Sequence, residues 1–442
     1  MRAGEPNAQR PSLLARAVEI CVLAGVAIAL GFQSGFALKA FLGDVYAVNA
    51  QAAENEYDVD TARWSLARSL DWNPADYRIQ YRYGVLQQRT ENLEEAAQAL
   101  AAVLHWAPHD VLAMLTLAEL NASVGRFTEA DRLIEEAESL LPGYWRTHQT
   151  TGIRFGNEGE HARAVREFTT ALESGGPRAK PVLAQLATAH LALEELDTAL
   201  TYATQSVAYD DSEPANHLLV GKILIAKDRA SDSRVAFLRA LNVFAESGVS
   251  PSQHRGLVAE TYAYLSTAYA MDKELGNAIE SLALAIDTDP KSVHVGRAAD
   301  TLADELENFS REDVQTETGY GAILVGAGTL FLFLDQMDRA EPVLFDAYAG
   351  SLSDADRIGC ELALAKVHLE RNRPVDALNL IEGARNRATT PSVQIERALA
   401  DALARNGRIA EAKLQYLDVL QRFQLTTAMR DEIERAIRAL ER

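Results

Sequence analysis

The apolar positions of this chain fall at helical spacing, and they recur in phase. When Tyr77–Asp110, Val111–Tyr144 and Trp145–Arg178 are aligned, Gly84, Ala118 and Gly152 share one column of small residues. Ala96, Ala130 and Ala164 share a second, Leu100, Ile134 and Phe168 a third, and Val103, Ala137 and Ala171 a fourth. Small residues let two helices cross closely, and the larger apolar ones fill the groove between them, so each unit predicts a packed helix pair. Gly125 and Gly159 stand between the two helices of their units, where glycine takes positive φ at little cost. Pro108 and Pro142 close two of the units, because proline cannot continue a helix without losing a hydrogen bond.

The register continues in both directions. Ala50, Ala62, Leu66, Ser69 and Pro74 imply a unit opening at Gly43; Ala187, Ala199 and Ala203 imply one near Lys180, and Gly221, Ser233 and Phe237 one near Pro214. After a short insertion around Ser247–Arg255 come Leu265, Ser266, Tyr269, Ala278, Leu282, Ala285 and Pro290. Gly328, Ala340, Leu344 and Ala347 mark a further copy, as do Ala365, Ala377, Ile381 and Ala384, and finally Ala400, Gly407, Ala412, Tyr416 and Val419. This column pattern resembles the tetratricopeptide repeat. The resemblance implies an all-α, right-handed superhelical solenoid of antiparallel helix pairs, here preceded by one transmembrane helix.

On that reading a front array covers 43–291 and a rear array 320–426. Residues 292–319 break the period and read equally well as an irregular helical insertion forming a hinge or as a degenerate repeat. Gly321–Leu334 is apolar enough to suggest a second membrane span, but it is too short and lies in phase with Ala340, so a buried solenoid helix is expected. In the tail, 427–442, Met429, Ile433, Ile437 and Leu440 lie on one helical face, as a capping helix requires.

The N-terminus behaves differently. A short tail, 1–16, precedes a segment, 17–42, in which Ile20–Leu38 carries no charge. Nineteen helical residues rise about 28 Å, close to the roughly 30 Å of bilayer hydrocarbon. Arg2, Arg10 and Arg16 precede the run and Lys39 follows it, which favours a cytoplasmic N-terminus and an outward-facing repeat domain, periplasmic in a bacterial cell. A cleaved secretory signal ending near Val48-Asn49-Ala50 and an interfacial or buried helix are the alternatives.

Charge and chemistry narrow the function. The formal net charge is -20, and all of the excess lies beyond residue 50, which disfavours nucleic acid and anionic lipid as partners. Cys21 and Cys360 form no metal-type cluster, and the nine histidines show no zinc-ligand spacing. The glycines of 319–328 lack the Gly-Lys-Ser/Thr ending of a phosphate loop. No catalytic residue, cofactor or metal is therefore expected, and the chain reads as a non-enzymatic scaffold.

In the resembling family the first helices of the pairs line a concave groove that binds peptides or protein segments. Offsets within those helices place Arg78, Tyr81, Gln88 and Arg89 on that face, joined by Arg146, Gln149 and Asn157. Arginine holds carboxylates through paired donors, and tyrosine offers a broad amphipathic contact. Trp72 and Trp106, one period apart, and Trp145 read either as packing between repeats or as an exposed docking ledge. The expected role is a membrane-tethered adaptor recruiting protein partners in a cell-envelope assembly or secretion system. The alternatives are a periplasmic accessory that handles glycans or exopolysaccharide machinery, for which no specific motif speaks, and a regulatory subunit of a membrane enzyme.

Overall fold

The computed structural model describes residues 35–55, 58–90, 92–246, 255–307, 309–310, 317–425 and 427–440. Among them every regular element is helical. The chain divides between His254 and Arg255 into two compact units, at the insertion seen in the sequence.

In the front unit, six pairs follow one another: α1 (Gly35–Asn55) with α2 (Val59–Trp72), α3 (Tyr77–Arg89) with α4 (Leu93–Trp106), α5 (Val111–Ser123) with α6 (Phe127–Leu140), α7 (Trp145–Glu158) with α8 (His161–Gly175), α9 (Val182–Ala192) with α10 (Leu196–Tyr209), and α11 (Pro214–Ala226) with α12 (Ala230–Glu246). Aspartates set several starts. Asp58 accepts from the Thr61 amide at 3.0 Å, Asp76 from those of Arg78 and Ile79, and Asp110 from that of Ala113 at 3.0 Å, each satisfying donors that a helix start leaves orphaned.

The crossings follow the columns. A Cβ on Gly152 would lie 2.5 Å from the Phe168 ring, one on Gly221 2.2 Å from Phe237, and one on Gly84 3.0 Å from Leu100. Each small residue is thus the seat of the large one sixteen positions on. Among the described residues, eight turns between paired helices each hold one left-handed residue. Gly125 (φ 77°) and Gly159 (φ 88°) supply it as expected, whereas Glu194, Asp228, Lys273, Asp335 and Asn372 do so at φ between 56° and 62°. The requirement is conformational, and at those five turns it is met despite a side chain.

Successive first helices pack on each other, α3 on α5, α5 on α7, α7 on α9 and α9 on α11, while successive second helices make no comparable packing. The first-helix layer is therefore the shorter, inner side of the front unit.

The rear unit holds four pairs: α13 (Arg255–Met271) with α14 (Leu275–Thr288), α16 (Glu317–Phe333) with α17 (Met337–Ala349), α18 (Asp354–Glu370) with α19 (Pro374–Arg387), and α20 (Val393–Arg405) with α21 (Ile409–Arg422). Between the first two pairs lies α15 (Val293–Glu307), inside the stretch where the sequence period breaks. It packs on α13, α14 and α16, and buries Val295, Ala298, Ala299, Leu302 and Leu306 in the same core as Leu324 and Phe331 of α16. The apolar helix α16 is thus a core helix, and Gly326 lets it approach α14, since a Cβ there would meet Ile279 at 2.6 Å. At the far end, α22 (Thr427–Ala439) buries Ile433 against Tyr416 and Val419.

Cys360 is fully buried in α18, its Sγ 3.4 Å from the Leu344 carbonyl oxygen, and burial pushes its thiol pKa up to about 11. In a Cys21→Ser variant the remaining thiol should therefore resist a soluble thiol reagent until the rear unit opens. Stoichiometric labelling of the native protein within minutes would contradict this burial.

Among the described residues no helix is long and apolar enough to cross a membrane. The anchor expected at 17–42 lies outside the described residues as far as residue 34. From Gly35 the chain is already helical and continues unbroken to Asn55, so α1 crosses the position where the sequence period opened a repeat at Gly43.

Candidate functional site

The inner face of the front unit is the surface on which the sequence placed its candidate groove. Its floor between α3 and α7 comes from α5, whose Leu115 is buried and whose Leu112 is exposed. Around this floor a polar ladder links neighbouring inner helices. The hydroxyls of Tyr81 on α3 and Thr116 on α5 lie 3.2 Å apart; the Thr150 hydroxyl on α7 donates to Glu119 on α5 at 2.8 Å; and Gln149 on α7 donates to Gln185 on α9 at 2.9 Å. Arg146 adds a long 4.0 Å ion pair to the same Glu119.

The seven candidates do not form one cluster. Arg78 and Arg89 are eleven residues apart on α3, about 16 Å along its axis, and so stand at opposite ends. Arg78, Tyr81, Arg146 and Gln149 occupy the first turns of α3 and α7, with Tyr81 and Gln149 tied into the ladder. Gln88, Arg89 and Asn157 occupy the last turns, where Arg89 and Asn157 are exposed and Gln88 is half-buried.

The main residue that the sequence reading missed is Glu119, which stands in the same column as Val85 and Ile153 and is recoverable by counting one period from either. Burial lifts its carboxyl above the ordinary glutamate range, with the Thr150 hydrogen bond and Arg146 pulling it back. A raised folded-state value means that ionisation costs stability. The group is most favourable below its unfolded pKa, and that contribution is lost as pH rises through the unfolded value to the folded one. Glu119→Gln, whose amide oxygen still accepts from Thr150, should therefore gain melting temperature over the parent at neutral pH and not in acid. Equal pH slopes for the two proteins would contradict the assignment.

The tryptophans separate. Trp145 is a packing residue, because a Cβ on Gly175 would lie 2.7 Å from its ring and it sits against the core of α8 and α9. Trp72 and Trp106, the last residues of α2 and α4, are 38% and 53% exposed. Among the described residues no group of histidine, cysteine or carboxylate side chains could hold a metal ion.

Comparison with known proteins adds one sequence match. Residues 362–424, which span the end of α18 through α21, match the family described as tetratricopeptide repeat. That segment of the rear unit is where the chain matches a tetratricopeptide repeat. No curated protein matches it in sequence. Among solved structures, PilW, a widely conserved type IV pilus biogenesis factor, is 16% identical over 50% of this chain and 97% of its own, with a TM-score of 0.41. A tetratricopeptide repeat protein from Parabacteroides merdae is 12% identical over 59% of this chain and 98% of its own, at 0.41. YrrB, a repeat protein with an unusual peptide-binding site, is 20% identical over 46% and 99%, at 0.33. At such identities these likenesses concern the helical-repeat fold alone.

Proposed function

We propose that this chain is a non-enzymatic scaffold that docks protein or peptide segments on the inner face of its front unit and is held at a membrane by the uncharged run Ile20–Leu38. The observation that carries the docking reading is the inner face itself. The exposed Leu112, seated over the buried Leu115, is bordered by Arg78, Tyr81, Arg146 and Gln149, on a surface stiffened by hydrogen bonds between successive helices. Such a mixture of apolar floor, aromatic ring and guanidinium suits an extended or helical segment bearing carboxylates. The cations here contrast with the net acidic chain, which favours a local rather than a general attraction.

The tether rests on the sequence of Ile20–Leu38 and on the charges flanking it, which favour an outward-facing array in a cell-envelope assembly or secretion system. Proximity labelling in the native cell, with the labelling enzyme fused after Arg442, tests both parts. The expected result is a reproducible set of envelope proteins. That set should be depleted about tenfold or more when Arg78, Tyr81 and Arg89 are replaced together by alanine, since truncating interface anchors costs at least about 1–2 kcal/mol. Exclusively cytosolic neighbours would overturn the orientation, and an unchanged set would overturn the binding face.

A further inference from the structure

The edge of the front unit where second helices end and first helices begin carries a row of exposed rings. Trp72 closes α2, Tyr77 opens α3 and Trp106 closes α4, and all three are exposed. Helices of a packed core do not ordinarily leave indoles in solvent at successive copies of one position. Three carboxylates of this edge are already engaged, with Asp76 and Asp110 capping α3 and α5 and Asp71 paired with Arg68 at 3.1 Å, while Asp44, beside Gly43, is exposed. What the edge offers a neighbour is therefore mainly aromatic surface.

The same edge is the one through which the chain enters the array. The Ser69 hydroxyl donates to the Gly43 carbonyl oxygen at 2.8 Å, and a Cβ on Gly43 would lie 3.2 Å from that of Asn73. The end of α2, with Trp72, is thus level with Gly43, and α1 extends eight residues beyond that level toward Gly35. The uncharged run ends at Leu38, five residues before Gly43, which is about 8 Å along a helix. The headgroup layer on one side of a bilayer is about 5–8 Å thick, from a total of ~40–45 Å against a hydrocarbon core of ~30 Å. If the run spans the hydrocarbon, Trp72 falls at the depth where indole rings concentrate in membrane proteins.

We propose that Trp72, Tyr77 and Trp106 form a ledge that rests in the lipid headgroup layer and lays the front unit along the membrane, keeping the inner face open beside it. This rests on the tether proposed above and adds to it a second, peripheral contact. The attraction is that of amphipathic rings for the interface and needs no anionic lipid, in keeping with the acidic chain. Trp64 supplies an internal ruler. It is also exposed, at 43%, but stands eight residues before Trp72 on α2, about 12 Å farther from the edge.

The test uses the full chain reconstituted into phosphatidylcholine vesicles bearing a nitroxide on the headgroup, with co-sedimentation and tryptophan quenching read on the same samples. The expected result is co-sedimentation together with a quenched component that disappears in Trp72→Phe/Trp106→Phe and survives in Trp64→Phe. Because the replaced rings are exposed, both variants should keep the parent's melting temperature. Co-sedimentation without quenching, or with quenching unchanged in the double variant, overturns the ledge and leaves the tether standing. Failure to co-sediment overturns the tether and the ledge with it.

Discussion

Phe237→Ala should destabilise the front unit by about 3–5 kcal/mol, the range for deleting a buried aromatic side chain that its surroundings cannot refill. Phe237 is fully buried, and its ring rests where a side chain at position 221 would stand. Helices α11 and α12 cross at that contact, so the loss is both of buried apolar area and of the spacer that sets their separation. The converse change, Gly221→Leu, overpacks the same place and should cost about 1–3 kcal/mol or more. Combining the two moves the bulk from one helix to the other, and the double variant should recover part of the loss; this non-additivity is the signature of direct contact. Urea unfolding of the four proteins measures it. Strict additivity, or a Phe237→Ala cost below about 1 kcal/mol, would mean that the column pair is not the unit of packing.

Arg387→Ala carries the second large expectation. Glu361 is 1% exposed on α18, and the Nε of Arg387 on α19 reaches its two carboxylate oxygens at 3.3 and 3.4 Å. Removing one partner of a buried pair leaves an uncompensated charge, which costs about 3–5 kcal/mol when both groups are buried; Arg387 is half-exposed, and screening lowers the expected cost to about 2–3 kcal/mol. The neighbouring pair provides the comparison. Glu396, also buried, accepts from Arg385 at 3.1 Å but keeps a second donor, Gln415, at 2.6 Å. Arg385→Ala should therefore cost only about 1 kcal/mol. Adding Glu361→Gln to Arg387→Ala should restore most of the loss, and the exposure of Cys360 to thiol reagents reports the change within the same helix. A larger loss from Arg385→Ala than from Arg387→Ala would contradict this account.

Much of the fold was legible because the repeat records its packing twice, once as a small residue and again as a large one sixteen positions later. Gly84 with Leu100, Gly152 with Phe168 and Gly328 with Leu344 are contacts in space as well as columns in sequence. The turns were legible only at the glycines, since nothing in the identities of Glu194, Asp228 or Lys273 announces a left-handed backbone. Helix α15 was expected only as an irregular helical insertion or a degenerate repeat, for another reason. Its face of Val295, Ala298, Ala299, Leu302 and Leu306 is plain helical spacing, but it follows α13 and α14 without a second helix of its own among the described residues, so the period of pairs cannot find it.

The candidate site was legible as a face and not as a cluster. Column offsets identify which residues of a first helix share a side, yet they do not say that Arg78 and Arg89 lie at opposite ends or that Tyr81 is tied to Thr116. Glu119 escaped because an acidic residue in an otherwise apolar helix has no motif, and its meaning comes only from Thr150 and Arg146 on the next inner helix.

The central claim, that the inner face of the front unit holds a protein partner, is tested most directly by a photo-crosslinking amino acid placed at Leu112 and, separately, at Val235 on the second helix α12; both positions are exposed. Irradiation in the native cell should give a discrete crosslinked protein from position 112, weakened by the Arg78, Tyr81 and Arg89 replacement, and none from position 235. A partner captured from 235 and not from 112 would place recognition on the outer helices and contradict the account.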